Sequence, residues 1–203
     1  MEIKFESLGK ERSISWDNDN YTIIVADKTD SKRNVLMRMI EWCNSQSFEY
    51  ITYNVDEILD LEYWLENSTP FEIVSVTFMM KKIFFDFDDF EKFEKFEKAR
   101  NITLKNPDDY IENIDFVKDI LRICGSGHSK IFIMFMKAIK NPTAGYYFLY
   151  LPETSLHYMV FEKLMSILLG YFVNMKIIFA SNSDRLEDSR VFNSDDKKNF
   201  IYV

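Results

Sequence analysis

The sequence predicts an α/β fold: a mostly parallel sheet flanked by helices, with a small antiparallel β element beside it. Three stretches predict it. Residues 21–25, Tyr-Thr-Ile-Ile-Val, are short, β-branched and continuously apolar, as in a central strand covered on both faces. A polar loop follows, and then Val35, Leu36, Met39, Ile40 and Cys43 recur at helical spacing. Residues 146–151 form a second apolar run that leads through Pro152-Glu-Thr-Ser-Leu-His157 into a helix expected over 158–172. A third run at 175–180 ends in Ser181-Asn182-Ser183. Apolar strands alternating with amphipathic helices build parallel sheets.

Size and charge bound the function. With 203 residues, 47% of them hydrophobic, the chain can bury one sizeable core, so a single domain over 1–203 is expected, with a variable insertion at about 44–122. A net charge of -8 leaves neither a counterion-release term nor a polybasic anchor, so no direct nucleic-acid or membrane binding is expected. Cys43 and Cys124 stand far apart, which argues against a metal knuckle or a disulfide framework. No charged n-region followed by an apolar h-region opens the chain, and the apolar segment 164–173 is too short to span a bilayer. A cytoplasmic protein is expected.

Taken in order, residues 3–8 alternate like a strand, and Asp17-Asn-Asp-Asn20 is a strong turn signal before the 21–25 run. The segment 71–87 alternates loosely through Ile73, Val74, Val76 and Phe78 and then Ile83, Phe84 and Phe85, which predicts a hairpin or two strands. The tract 86–98 repeats Phe-Glu-Lys, with Phe87, Phe90, Phe93 and Phe96 drifting round an amphipathic helix. Asn106-Pro-Asp-Asp109 is a stop, and 111–123 reads as a further helix. Gly125-Ser126-Gly127-His128-Ser129 then opens another helix, spending two of only five glycines where free N–H groups and the positive dipole end would face an anion. A short strand at 200–203 closes the chain.

The strand–loop–helix at 21–43 is the setting a P-loop requires, and the octet in register is Ala26-Asp27-Lys28-Thr29-Asp30-Ser31-Lys32-Arg33. Of G-x-x-x-x-G-K-[ST], only the lysine is present. Alanine and serine lack the backbone freedom of the two glycines, and Arg33 has no lone pair to offer Mg²⁺ where the motif has a hydroxyl. From the loop alone, an ordinary solvated turn with an exposed Lys32 is the expectation.

Taken together, the Lys loop, Gly-Ser-Gly-His-Ser, strand-Pro-Glu-Thr-Ser-Leu-His and strand-Ala-Ser-Asn-Ser resemble an ABC-type ATPase head. The likeness is to the branch shared by SMC and Rad50 heads and by OLD-like and AAA-15-like bacterial ATPases, whose Walker B strand continues Asp-Glu-Pro-Glu-Thr-Ser-Leu-His-Pro. It covers residues 1–43 and 123–184, and implies a P-loop NTPase-like sheet of the ABC-head kind. The resemblance implies that Tyr150 stands where the family has its Mg²⁺-directing aspartate and Leu151 where it has the glutamate that activates water. It likewise sets Asn182 at the switch histidine, and Ser31, Lys32 and Arg33 become a vestigial nucleotide loop. Glu153 keeps the Pro-Glu carboxylate, which in the family supports the helix start. Ser126 and Gly127 fall on the signature motif that closes over a partner's ATP, with Gly125 and His128 in place of its usual neighbours.

Losing metal ligand and base together should abolish phosphoryl transfer. The resemblance therefore implies a catalytically inactive pseudo-ATPase subunit, with ATP binding weak or absent and no cofactor. It would pair with an active ABC-type ATPase, or with itself, in phage defence or DNA maintenance. Two alternatives stand beside it: a Mg-independent nucleotide sensor using Lys28, Lys32 and Arg33, and a stand-alone interaction protein using the aromatic stripe of 84–96. His157 reads as a helix-start packing or capping residue, and Cys43 as a buried small hydrophobe.

Overall fold

The computed structural model describes residues 2–7, 9–16, 21–25, 29–55, 60–84, 104–154, 156–182 and 200–203. The chain divides into two compact units, one made of residues 1–57 and 141–203 and the other of residues 58–140. The Phe-Glu-Lys tract and most of the aromatic stripe at 84–96 lie outside the described residues, as do Ala26, Asp27 and Lys28.

The first unit is organised by a five-stranded, all-parallel sheet. Its strands are β3 (Tyr21–Val25), β4 (Tyr50–Asn54), β5 (Tyr146–Tyr150), β6 (Lys176–Ser181) and β7 (Phe200–Tyr202). They lie in the order β4-β5-β6-β3-β7. The continuously apolar runs are interior strands: β3, β5 and β6 each have neighbours on both sides. Helix α1 (Thr29–Ser45) packs Val35, Leu36, Met39 and Cys43 onto Ile24, Phe148, Tyr150, Ile178 and Ala180. The alternate residues, Ile23, Tyr147, Leu149, Ile177 and Phe179, are equally buried and therefore face the other side. Helix α7 (Tyr158–Tyr171) joins β5 to β6, heading along the sheet against the sense of the β3-to-β4 connection. Right-handed crossovers then put α1 and α7 on opposite faces.

A hairpin, β1 (Glu2–Ser7) and β2 (Lys10–Ser15), supplies the antiparallel element. The sequence reading had one strand in this stretch. β2 escapes it because Lys10, Glu11, Arg12 and Ser13 are exposed and carry no apolar signal. Gly9 at φ +70° makes the tight turn, a conformation that two-residue hairpin loops demand. Ile3 and Phe5 alternate inward onto α1, and Trp16 donates from Nε1 to Thr22 Oγ1 at 3.0 Å, tying the hairpin to β3. Trp16, Trp42 and Tyr146 then meet edge to face at 5.3–6.1 Å, an arrangement that favours ring quadrupoles.

The second unit is helical: α2 (Leu61–Glu66), α3 (Pro70–Phe84), α4 (Pro107–Glu112), α5 (Ile114–Ile123) and α6 (Ser126–Lys140). Here the hairpin expected over 71–87 is overturned for residues 71–84, which belong to α3; residues 85–87 lie outside the described residues. Thr69 and Glu72 form a reciprocal cap, Thr69 N donating to Glu72 Oε2 at 2.8 Å and Glu72 N to Thr69 Oγ1 at 3.3 Å, with Pro70 at the first helical position. Ile73, Val76, Met80 and Ile83 are buried at helical spacing, so tertiary burial outweighs the strand preference of the β-branched residues. The helix expected over 111–123 is broken at Asn113, whose Nδ2 and N both donate to Asp109 O. In α6, residues 131–136 are all buried, the mark of a helix enclosed on every side.

Two consequences are measurable. Burial pushes the Cys43 thiol up to about 11, so it stays protonated at pH 8. A chromogenic disulfide reagent should label only Cys124 in the native protein and both thiols after unfolding. Tyr110 is fully buried with no partner for its hydroxyl, while its ring is held by Phe78 at 4.9 Å and by the Lys81 ammonium at 4.6 Å. Tyr110→Phe keeps the ring contacts and removes the unsatisfied group, so denaturant unfolding should show stability unchanged or raised by about 1 kcal/mol.

Candidate functional site

Ligands of open α/β sheets bind outside the carboxyl ends of the strands, where neighbouring strands send the chain in opposite directions. In this sheet that point lies between β3 and β6. From β3 the chain heads toward the β4 side, and from β6 it heads past β3 to β7. Three of the residues singled out in the sequence meet there.

Lys32, in the first turns of α1, is 0% exposed rather than solvated. Its Nζ donates to Asn182 Oδ1, just beyond the end of β6. A buried ammonium is tolerable only when hydrogen-bonded, so this contact is a requirement of the fold as much as a feature of a site. Asn182 is held in turn by Glu153, whose Oε1 accepts from Asn182 N at 2.7 Å and from Ser181 Oγ at 3.0 Å. Glu153 Oε2 is shielded from solvent and has no partner. The carboxylate thus clamps the end of β6, whereas the family resemblance implied support of the following helix. That helix is capped instead by His157, whose Nδ1 accepts from Met159 N at 3.4 Å, the capping role read from the sequence.

The segment that delivers Glu153 is strained. Leu151 sits at φ +48°, a left-handed conformation costly for a residue with a branched side chain. Its N–H donates to Ala180 O at 2.8 Å, so the ladder with β6 runs one residue past β5 before the chain turns through buried Pro152. That bond and the Glu153 clamp hold the turn from both ends.

The remaining site residues are placed elsewhere. Tyr150 is buried in the apolar cluster beneath α1. Ser31 is buried near the start of α1. Arg33, one position after Lys32 and so about 100° further round the helix, is exposed and lines a separate cleft with Met37, Asn54 and Tyr150. Gly125, Ser126, Gly127 and His128 belong to the second unit. Gly125 and Ser126 are exposed, and Gly125 O accepts from His128 N at 2.9 Å at the start of α6. Ser181 was not singled out from the sequence. A hydroxyl closing an apolar strand beside Asn182 was the available signal.

Chemically, this arrangement offers one carboxylate, one ammonium, a carboxamide and a hydroxyl, joined largely to one another. At the end of β5 stand a phenol packed in the core and an aliphatic side chain. These residues do not fit the Mg²⁺–nucleotide group that the family resemblance implies there. Among the described residues, no three potential metal-ligating side chains cluster, and no helix is long and apolar enough to cross a membrane. No protein-family model matches the chain, and no curated protein or solved structure matches it.

The clamp is testable through stability. Asn182→Ala deprives a buried charge of an acceptor and should cost about 1–3 kcal/mol in denaturant unfolding. Adding Lys32→Met to that variant should recover most of the loss, because it removes the buried charge itself. A double variant no more stable than Asn182→Ala would mean the contact carries no such weight.

Proposed function

We propose that the chain is a catalytically inactive ABC-type pseudo-ATPase subunit that pairs with an active ATPase or effector and regulates or scaffolds it. The setting in phage defence or DNA maintenance comes from the family resemblance alone. The observation that carries the reading is Lys32 buried against Asn182 and locked there by Glu153. A catalytic P-loop lysine must be free to meet phosphate oxygens. This one is committed to the protein's own strand end.

Two further features support it. The strand preceding the Lys loop and the strand preceding Pro152-Glu-Thr lie in one parallel sheet, flanking β6, so their carboxyl ends open on the same side. A nucleotide-hydrolase scaffold needs that juxtaposition. Tyr150 and Leu151 at the end of β5 then remove metal ligation and water activation together. The burial of Lys32 also weighs against the Mg-independent sensor, which needs this ammonium at the surface.

Purified protein should release no phosphate from ATP above background, and should bind ATP no more tightly than about 1 mM, with or without Mg²⁺. Mixed with candidate active ABC-type ATPases, the chain should form a complex with one of them and alter that enzyme's rate, and Ser126→Arg should cancel the effect. Hydrolysis that disappears on Lys32→Ala would sink the proposal. Micromolar ATP binding without metal would replace it with the sensor.

A further inference from the structure

The cover over the Lys32 ammonium is thin on its outer side. Asn182, which accepts from Nζ, is itself exposed, as is Thr154 in the neighbouring turn, and Glu153 is half-buried. Glu153 Oε1 takes both bonds from the end of β6, while Oε2 is shielded and has no partner. The turn that carries Glu153 is costly as well: Leu151 has φ +48°, and the turn's own bond, Thr154 N to Leu151 O, spans 3.2 Å. Costly backbone of this kind concentrates at clamps and switch segments. Buried Pro152 and the two bonds to Glu153 favour the arrangement; the left-handed Leu151, the orphaned oxygen and the desolvated ammonium oppose it.

We propose that residues 151–154 form a latch over Lys32: Glu153 holds it shut, and a local opening hinged at Leu151 withdraws the carboxylate, releases Asn182 and bares the ammonium while α1 stays packed. Leu151 suits a hinge, because its N–H is fixed to Ala180 O and a return of its φ to negative values redirects the chain that leaves the strand. The helix has its own anchorage, since Val35, Leu36, Met39 and Cys43 hold α1 to the sheet through the apolar cluster. Units this small open without global unfolding in folded proteins. A partner or ligand that prefers the open form therefore uncovers a cation at the mouth of the sheet. The latch rests on the geometry of the cluster and not on the pseudo-ATPase reading, so the two fail separately: ATP hydrolysis sinks that reading, and labelling rates decide the latch.

The test is acetylation of the full chain by a water-soluble amine-reactive ester, with rates at Lys32 and at exposed Lys10 read by peptide mass spectrometry. Thiol labelling of buried Cys43 reports the packing of α1. Protection is the rate of a residue in the unfolded chain divided by its rate in the folded one. In the wild-type protein Lys32 should be protected at least about tenfold, yet less than Cys43, because a smaller opening bares it. Glu153→Ala should raise the Lys32 rate at least about tenfold and leave Lys10 and Cys43 unchanged. Glu153→Gln keeps a carbonyl oxygen to accept from Asn182 N and Ser181 Oγ, so its Lys32 rate should stay near that of the wild type. Protection of Lys32 equal to or above that of Cys43 in the wild type means that only global unfolding reaches the ammonium, and overturns the proposal even where Glu153→Ala fails to fold. So does a wild-type Lys32 as reactive as Lys10, a Lys32 rate unmoved by Glu153→Ala, or a Glu153→Gln rate equal to that of Glu153→Ala.

Discussion

The fold of the first unit turns on burying one ammonium at the mouth of a parallel sheet. Lys32 has no exposed surface, and a lysine in that position needs oxygen acceptors supplied by the protein. Asn182 supplies one only because β6 ends where it does, and β6 ends there with Glu153 accepting from both Ser181 and Asn182. Glu153 reaches β6 because the chain turns sharply at Leu151, in a backbone conformation that costs about 1–3 kcal/mol. Each step of the chain is expensive by itself and tolerable in company, which makes the three segments interdependent.

That interdependence bears on function. Strand ends of open parallel sheets are usually left to loops that adapt to a ligand. Here one strand end is stitched to the helix that follows another, and the polar groups are spent on the protein itself. It is this commitment of the polar groups to the protein itself on which the proposed pseudo-ATPase reading rests. Within the described cluster, Glu153 Oε2 is the solvent-shielded side-chain atom left without a partner.

Arg33 makes the opposite point. A helix turns by about 100° per residue, so neighbours in a loop motif need not share a site. Read linearly, Ser31, Lys32 and Arg33 form one basic loop. In three dimensions two side chains are buried and the third lines another cleft. The charge a sequence motif assigns to one site is divided between two environments.

What residue pattern alone determined was the set of elements with strong periodicity or strong chemistry. β3, β5 and β6 were legible as continuously apolar runs, α1 as an amphipathic helix, α7 as the helix that follows Pro152-Glu-Thr-Ser-Leu-His157, and His157 as a packing or capping residue, because burial on both faces or on one stripe, or a helix start, writes itself into neighbouring residues. β2 was silent because an exposed strand writes nothing. α3 was misread because β-branched residues imitate a strand, although Thr69-Pro70-Phe-Glu72 spelled a helix start. Only tertiary structure decided the strand order, the burial of Lys32, the partner of Glu153 and the cleft beside Arg33. Each of these depends on residues far apart in the chain, as with the 150 positions between Lys32 and Asn182, and no local periodicity encodes such a pairing.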